Sequence, residues 1–164
     1  MSRSRRGCMK AIPIAIMAAV VSCALAQDHS APHSEPDRSS DRAKLIGAWH
    51  LVSITGPDGK PVQTAPLGML IYTRDGHMSV QLMYPKADNA LSNQYVQSGY
   101  EASFGSYDVD EARHMVTHHI QGSVTRDLLI GKDLPRVYQF TTDRRLIIRS
   151  ARADEHWSVV WEHY

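Results

Sequence analysis

Several residues and motifs that mark common classes of protein are scarce or absent in this sequence. Only two of the 164 residues are cysteines, Cys8 and Cys23. Both lie in the first 26 residues, so the chain beyond them can form no internal disulfide. The 18 basic and 17 acidic residues nearly balance, which gives no cationic surface for nucleic acid. No Ser-His-Asp order, Gly-x-Ser-x-Gly elbow or phosphate loop occurs, and the sequence predicts no bound cofactor.

Residues 1–26 have the features of a removable export signal. Four basic residues among the first ten precede an apolar run, Ala11–Val21. This run is too short to cross a bilayer, since a spanning helix needs about 20 residues. Ala24-Leu25-Ala26 is a small-x-small cleavage site, so the mature chain is predicted to begin at Gln27. Removal of the leader leaves 14 Lys and Arg against 17 Asp and Glu, a net charge of −3.

Two other export routes are compatible with the same leader. The run Ser4-Arg5-Arg6-Gly7-Cys8-Met9-Lys10 resembles a twin-arginine motif. Val20-Val21-Ser22-Cys23 resembles a lipobox, in which case a lipid on Cys23 would hold the protein on a membrane. The ordinary cleaved signal is favoured, because Ala-Leu-Ala-Gln is a good cleavage site and the lipobox lacks the usual leucine. All three routes predict a periplasmic or secreted protein.

The rest of the chain divides into a linker and one domain. Residues 27–42 are rich in Ser, Pro and Asp and predict a disordered linker. Residues 43–164 contain about eight short strands separated by turn residues. The predicted strands are Gly47–Ile54, Leu67–Thr73, His77–Tyr84, Phe104–Val109, His114–Ser123, Leu134–Thr141, Arg145–Ser150 and Glu155–Tyr164.

Turn and spacing signals define how these strands connect. Asp75-Gly76 between two alternating runs is a strong hairpin signal. Apolar residues at helical spacing after Ser92, a plausible N-cap, predict one short helix at Asn93–Ala102. We therefore expect an all-β, antiparallel barrel of about eight strands with one short helix. Its first and last strands pair, and a barrel of this size can hold one small ligand.

Alternation along the strands assigns side chains to two faces. One face carries mostly large apolar residues, and the opposite face carries mixed polar residues, among them His50, Ser79, Gln81 and Ser158. The apolar face is predicted to contain Trp49, Leu51, Ser53, Met78, Val80, Leu82, Trp157, Val159 and Trp161.

The run Val116-Thr117-His118-His119-Ile120 is the richest in chemically active side chains. Adjacent residues on a strand point to opposite faces, so one of the two imidazoles should face the interior, where it could hydrogen-bond a ligand or move a proton. Zinc binding is not expected, because His114 and His118 on one strand lie about 13 Å apart. The sequence therefore predicts no metal site.

Other polar residues within the strands are candidates for ligand contact. Tyr72, Gln81, Tyr107 and His118 form the predicted set of polar contacts. Arg136 is a basic residue within an apolar strand. It could pair with an acidic ligand group, stack on Trp49 at the barrel floor or lie at the surface.

Several runs resemble the bacterial and fungal lipocalin-like domain proteins. They include Leu45-Ile46-Gly47-Ala48-Trp49-His50-Leu51-Val52-Ser53, Gly68–Leu82, Tyr100–Asp110, Val116-Thr117-His118-His119 and Val160-Trp161-Glu162. The resemblance covers about Leu45 to Glu162, and it departs at His163, where an arginine is expected. It implies a calycin-like barrel whose floor is closed at Gly47 and Trp49, with a small hydrophobic ligand inside.

Three functions follow as hypotheses, and the last of them is a purely structural or envelope-associated domain with a packed core. In the first, the exported barrel binds a small, largely hydrophobic molecule, with no nucleic-acid partner and a membrane contact only if Cys23 is lipidated. In the second, the same barrel is an isomerase, cyclase or hydrolase that uses His118 or His119 as an acid-base group.

Overall fold

The computed structural model of the chain describes residues 40–62, 66–85 and 92–164. Eight antiparallel strands close into a barrel in which each strand pairs with the next and the last pairs with the first. They are β1 (Gly47–Thr55), β2 (Leu67–Tyr72), β3 (His77–Met83), β4 (Tyr100–Asp110), β5 (Met115–Ser123), β6 (Asp133–Phe140), β7 (Leu146–Ser150) and β8 (Ser158–His163). A short helix, α1 (Asp41–Leu45), precedes them, and Glu111–Arg113 and Arg126–Leu128 form single 3-10 turns.

The predicted fold class is confirmed. The barrel is closed and antiparallel, and β1 pairs with β8 as expected. Met78, Val80 and Leu82 are all buried on the inner face of β3, and Val159 and Trp161 are buried on β8. The predicted signal at residues 1–26, both cysteines and the linker up to residue 39 lie outside the described residues.

A bulge in β1 corrects the predicted face of Ser53. Leu51 pairs with Trp161, but Ser53 pairs with Val160, the next residue along β8, so the register shifts at Val52. An inserted residue changes which side chains face inward. Ile54 is therefore buried in place of Ser53, which was expected to share a face with Trp49.

The helix was predicted in the wrong place. Asn93–Ala102 forms a loop followed by the start of β4, and the described helix is α1 instead. The Asn93 side chain accepts hydrogen bonds from the N–H groups of Tyr95 and Val96, which fixes a turn. Ser98 and Gly99 then adopt positive φ angles of 52° and 79°, which a continuing right-handed helix does not allow.

Helix α1 also corrects the end of the predicted linker. Ser40 caps α1 by accepting a hydrogen bond from the Ala43 N–H at 3.1 Å. The Asp41 carboxylate accepts a hydrogen bond from the Tyr138 hydroxyl at 3.2 Å, and Leu45 is fully buried. Residues 40–42, assigned to the linker from composition alone, are thus part of the folded domain.

Trp49 lies where α1 meets the barrel. Its indole N–H donates to the Leu45 carbonyl at 2.9 Å, and its ring lies 4.3 Å from the His163 ring, centroid to centroid. His163 thus covers Trp49 at the position where an arginine was expected. Gly47 has a φ of +138°, and a Cβ there would overlap the His163 imidazole. Glycine therefore lets β8 close over β1 at this end.

Candidate ligand-binding cavity

The barrel encloses a cavity of about 310 Å³, at the lower end of the range of roughly 300–1,000 Å³ for small-molecule pockets. Trp49 and α1 do not border it. Loop residues Asn93, Tyr95 and Val96 lie at its edge, so the segment after Pro85 does border the cavity although it is not a helix. Most of its wall is apolar and comes from Ile54, Val62, Leu70, Val80, Leu82, Leu134, Ile148, Val159 and Trp161.

His118 provides one polar group of the cavity wall. Its side chain is buried on the inner face of β5, and the Tyr72 hydroxyl lies 2.6 Å from its Nε2. Burial, with a smaller effect of Arg136, lowers the pKa of His118 to about 3, so the imidazole is neutral at pH 7. Burial raises the pKa of Tyr72, so this phenol keeps its proton.

The proton positions of this pair follow from its partners. The only described acceptor within hydrogen-bond distance of the Tyr72 hydroxyl is His118 Nε2. From these partners we assign the phenol as the donor and the imidazole proton to Nδ1. Nδ1 has no hydrogen-bond partner among the described residues. Every fully buried side-chain nitrogen of these residues does have a partner, so Nδ1 is not fully buried. The Nδ1–H therefore faces open space, and the space beside His118 is the cavity.

Arg136 provides the cationic group of the wall. It is only 4% exposed, and its guanidinium lies over the rings of Trp157 and Tyr95 at 4.8 and 5.3 Å. These two rings, rather than Trp49, are its stacking partners. Nη1 donates to the Pro135 carbonyl at 3.4 Å and lies 3.9 Å from Glu155. Tyr95 also hydrogen-bonds the guanidinium. The N–H groups that neither Pro135 nor Tyr95 accepts have no hydrogen-bond partner among the described residues, so they remain available to a ligand.

Glu155 balances the charge of Arg136 from outside the cavity wall. Its carboxylate accepts hydrogen bonds from the Tyr95 hydroxyl at 2.9 Å and from the Trp157 indole at 3.2 Å. Arg152 lies 3.4 Å away. Although burial acts in the opposite direction, the hydrogen bonds from Ser150, Tyr95 and Trp157 and the charge of Arg136 hold the pKa of Glu155 below its usual value. Glu155 is therefore ionised at neutral pH, and its carboxylate is held by Tyr95, Trp157 and Arg152.

Glu101 is the acidic group of the wall, and the sequence analysis did not select it. It lies on the same inward-facing side of β4 as Ser103 and borders the cavity. Burial raises the pKa of Glu101 to about 7, against an opposing effect of Arg136. Its carboxyl group forms no hydrogen bond or ion pair with any residue that the structure describes. The alternation of Glu101 with Ser103 and Tyr107 was the available signal, but the predicted helix obscured it.

The structure brings only part of the predicted ligand-binding set together. His118 and Arg136 border the cavity, and Tyr72 lies directly behind His118. Tyr107 is buried toward the closed end, where its hydroxyl donates to the Thr73 carbonyl at 2.8 Å. Gln81 is exposed on the outer face of β3, in a surface groove that also contains Tyr100 and Phe104.

His119 lies outside the barrel. Its two ring nitrogens contact Asp133 at 2.7 Å and Asp108 at 3.0 Å, and these carboxylates, Asp133 above all, raise the pKa of His119. The side chain thus joins β5 to β4 and β6 on the outer surface. It is separated from the cavity by the strand itself, as the parity of adjacent residues predicts.

Among residues 40–62, 66–85 and 92–164, no group of three or more His, Cys, Asp or Glu side chains is arranged to hold a metal ion. In the same residues, none of the helices has the length and apolar character required to cross a membrane.

The comparison with protein families decides the identity of this barrel. The model of the lipocalin-like domain matches residues 46–162. The chain belongs to the lipocalin-like domain family. The match covers nearly the same residues as the resemblance in the sequence, which ran from about Leu45 to Glu162. No curated protein sequence matches this lipocalin-like chain at a significant level.

A solved structure similar to this lipocalin-like domain is a mutant of the fluorescent protein UnaG. The alignment covers 74% of this chain and 97% of that chain, with 10% sequence identity and a TM-score of 0.39. At this level of similarity it says nothing about the site.

Proposed function

We propose that this lipocalin-like domain binds one small, largely apolar molecule inside its barrel. The observation that supports this most is a cavity with an apolar wall that three polar side chains border, Glu101, His118 and Arg136, each with hydrogen-bonding capacity that no described residue uses. Burial of such groups without partners is unfavourable unless water or a ligand meets them. A molecule with an apolar body and one polar end would satisfy both parts of the wall.

The apolar wall would supply most of the affinity. Burial of hydrocarbon contributes about 0.8 kcal/mol for each methylene group, and the wall offers aliphatic side chains from six strands. The polar groups would orient the molecule, because His118 is fixed by Tyr72 and Arg136 is fixed between two aromatic rings. Such positioned groups provide specificity rather than bulk affinity.

The state of His118 supports a binding role over acid-base catalysis. With a pKa of about 3, it carries no proton to donate as an imidazolium at pH 7, and it is a weak base. Its Nδ1–H instead acts as a fixed hydrogen-bond donor. His119, the other residue considered for catalysis, lies outside the cavity between two aspartates.

The proposed place of binding is outside the cytoplasm. The basic and apolar segments of residues 1–26 and the cleavage site at Ala26 support export. The sequence change that tests this is Ala24→Asp, which would block cleavage by signal peptidase. Retention of the full-length precursor in that variant, against a shortened wild-type chain that begins at Gln27, would support the ordinary route.

Filling the cavity tests the proposed function. We expect Val80→Trp to weaken binding of the neutral fluorescent probe N-phenyl-1-naphthylamine at least tenfold, because Val80 borders the cavity and the larger ring would occupy it. Gln81→Trp is the matched control, since the neighbouring side chain points outward. The measurement is probe fluorescence against protein concentration, with circular dichroism to verify folding of both variants.

Two results would contradict the proposed function. Absence of probe binding to the wild-type protein would contradict the proposal, and so would equal loss in Gln81→Trp. If Val80→Trp fails to fold, Ile148→Phe adds a smaller ring to the same wall and should weaken probe binding in the same way.

A further inference from the structure

The polar part of the cavity wall is rich in donors. Arg136 presents the N–H groups that Pro135 and Tyr95 do not accept, and His118 presents its Nδ1–H. Their counterpart in a ligand is an oxygen atom that accepts several hydrogen bonds, and charged donors bind a charged oxygen best. Arg136 in particular offers the planar edge that matches a carboxylate.

Glu101 completes this arrangement. A carboxylate ligand beside Arg136 would lie near the Glu101 carboxyl group, because both side chains border one cavity of about 310 Å³ and the charge of Arg136 acts on Glu101. Two carboxylates in such a space do not both ionise and instead share one proton. In that state Glu101 would donate a hydrogen bond to the ligand rather than repel it.

We propose that Glu101, His118 and Arg136 form a subsite for the acidic end of the apolar molecule, in which the guanidinium and the imidazole N–H hold a carboxylate and Glu101 shares one proton with it. This subsite rests on the proposed function, since it names the chemical class of the ligand. It makes affinity depend on the protonation of Glu101.

The groups around Glu101 determine the direction of that pH dependence. Arg136 on β6 contributes a guanidinium group, and Glu155 stays ionised because its pKa is lowered. His118 on β5 is neutral, and burial raises the pKa of both Tyr84, to about 12, and Tyr95. Between pH 6 and 9, Glu101 is therefore the group of this wall whose charge changes.

Binding should accordingly be strongest at low pH within this range. Below the pKa of Glu101 in the empty barrel, about 7, the carboxyl group already holds the shared proton. Above it, binding requires uptake of one proton from solvent, so the affinity for a carboxylate falls with rising pH, by up to about tenfold per pH unit. A neutral ligand with the same chain should show no such fall.

The test compares decanoate with 1-decanol as competitors of N-phenyl-1-naphthylamine. At pH 6 decanoate should displace the probe at concentrations at least about tenfold lower than decanol. Between pH 6 and 9 its affinity should fall at least about tenfold while that of decanol stays constant. Arg136→Gln should abolish the preference for decanoate, whereas Arg149→Met, on the exposed part of β7, should preserve it.

Glu101→Gln identifies the titrating group. The amide keeps a hydrogen-bond donor but cannot ionise, so decanoate should bind this variant with an affinity independent of pH from 6 to 9. Equal displacement by acid and alcohol at pH 6, an unchanged pH profile in Glu101→Gln, or displacement by neither competitor would overturn the subsite while probe binding still supports the barrel function. Failure of the probe itself to bind would instead overturn the proposed function.

Discussion

Replacement of Trp49 by alanine is expected to lower the free energy of unfolding by about 3–5 kcal/mol. Trp49 is 2% exposed and contacts both His163 of the last strand and Phe140 of β6. Its indole N–H also holds the end of α1 through the Leu45 carbonyl. Its removal would leave a large void at the point where the first and last strands and the helix meet.

Urea denaturation followed by circular dichroism measures this change. Tyr164→Ala, at a residue 70% exposed, is the control and should change the free energy by less than about 0.5 kcal/mol. Trp49→Phe should lie between the two, since it keeps an aromatic ring but loses the hydrogen bond. A loss of under about 1 kcal/mol in Trp49→Ala would show that this end of the barrel does not depend on the tryptophan.

Replacement of Tyr72 by phenylalanine is expected to destabilise the domain by about 1–3 kcal/mol. The change removes the hydroxyl that donates to His118 Nε2 and leaves a buried ring nitrogen without a partner. His118→Leu removes the other half of the pair. Because the second deletion also removes the unsatisfied nitrogen, the double variant should be more stable than the sum of the two single losses predicts.

A double-mutant cycle in urea measures this coupling, which should be about 0.5–3 kcal/mol. Ile148→Val with Tyr72→Phe is the matched control pair, because Ile148 is also buried but forms no hydrogen bond with Tyr72. Strict additivity of Tyr72→Phe and His118→Leu would contradict a hydrogen bond between the two side chains. It would also remove the reason to place the imidazole proton on Nδ1.

Most of the barrel was predictable because its strands alternate regularly. On β3 the alternate residues Met78, Val80 and Leu82 are large, apolar and buried, and on β8 Val159 and Trp161 are. The parity rule also placed His118 and His119 on opposite faces, which the structure confirms. Alternation is a local property, so a single sequence carries it directly.

Features that depend on a single residue or on distant contacts were missed. The bulge at Val52 changes which residues of β1 face the interior, and no residue type there predicts a bulge. Helix α1 follows from contacts of Asp41 with Tyr138, almost 100 positions away in the chain. The helical spacing after Ser92 was real, but Ser98 and Gly99 adopt positive φ angles that a right-handed helix does not allow.

The candidate site illustrates the same limit. His118 and Arg136 were identifiable as polar residues in apolar strands, and both border the cavity. Tyr107 shares their inward face but lies toward the closed end, and spacing alone does not give depth along a strand. Glu101 was missed because the start of β4 was interpreted as a helix, so its face could not be assigned.

A crystal structure of the protein grown with 1-bromonaphthalene would test most directly whether the barrel is a binding cavity. The bromine atom locates the apolar molecule through its anomalous signal. The account predicts one strong peak inside the barrel, among Val80, Ile148 and Trp161, and none in Val80→Trp. A barrel filled by its own side chains, or bromine only in the outer groove beside Tyr100 and Phe104, would contradict it.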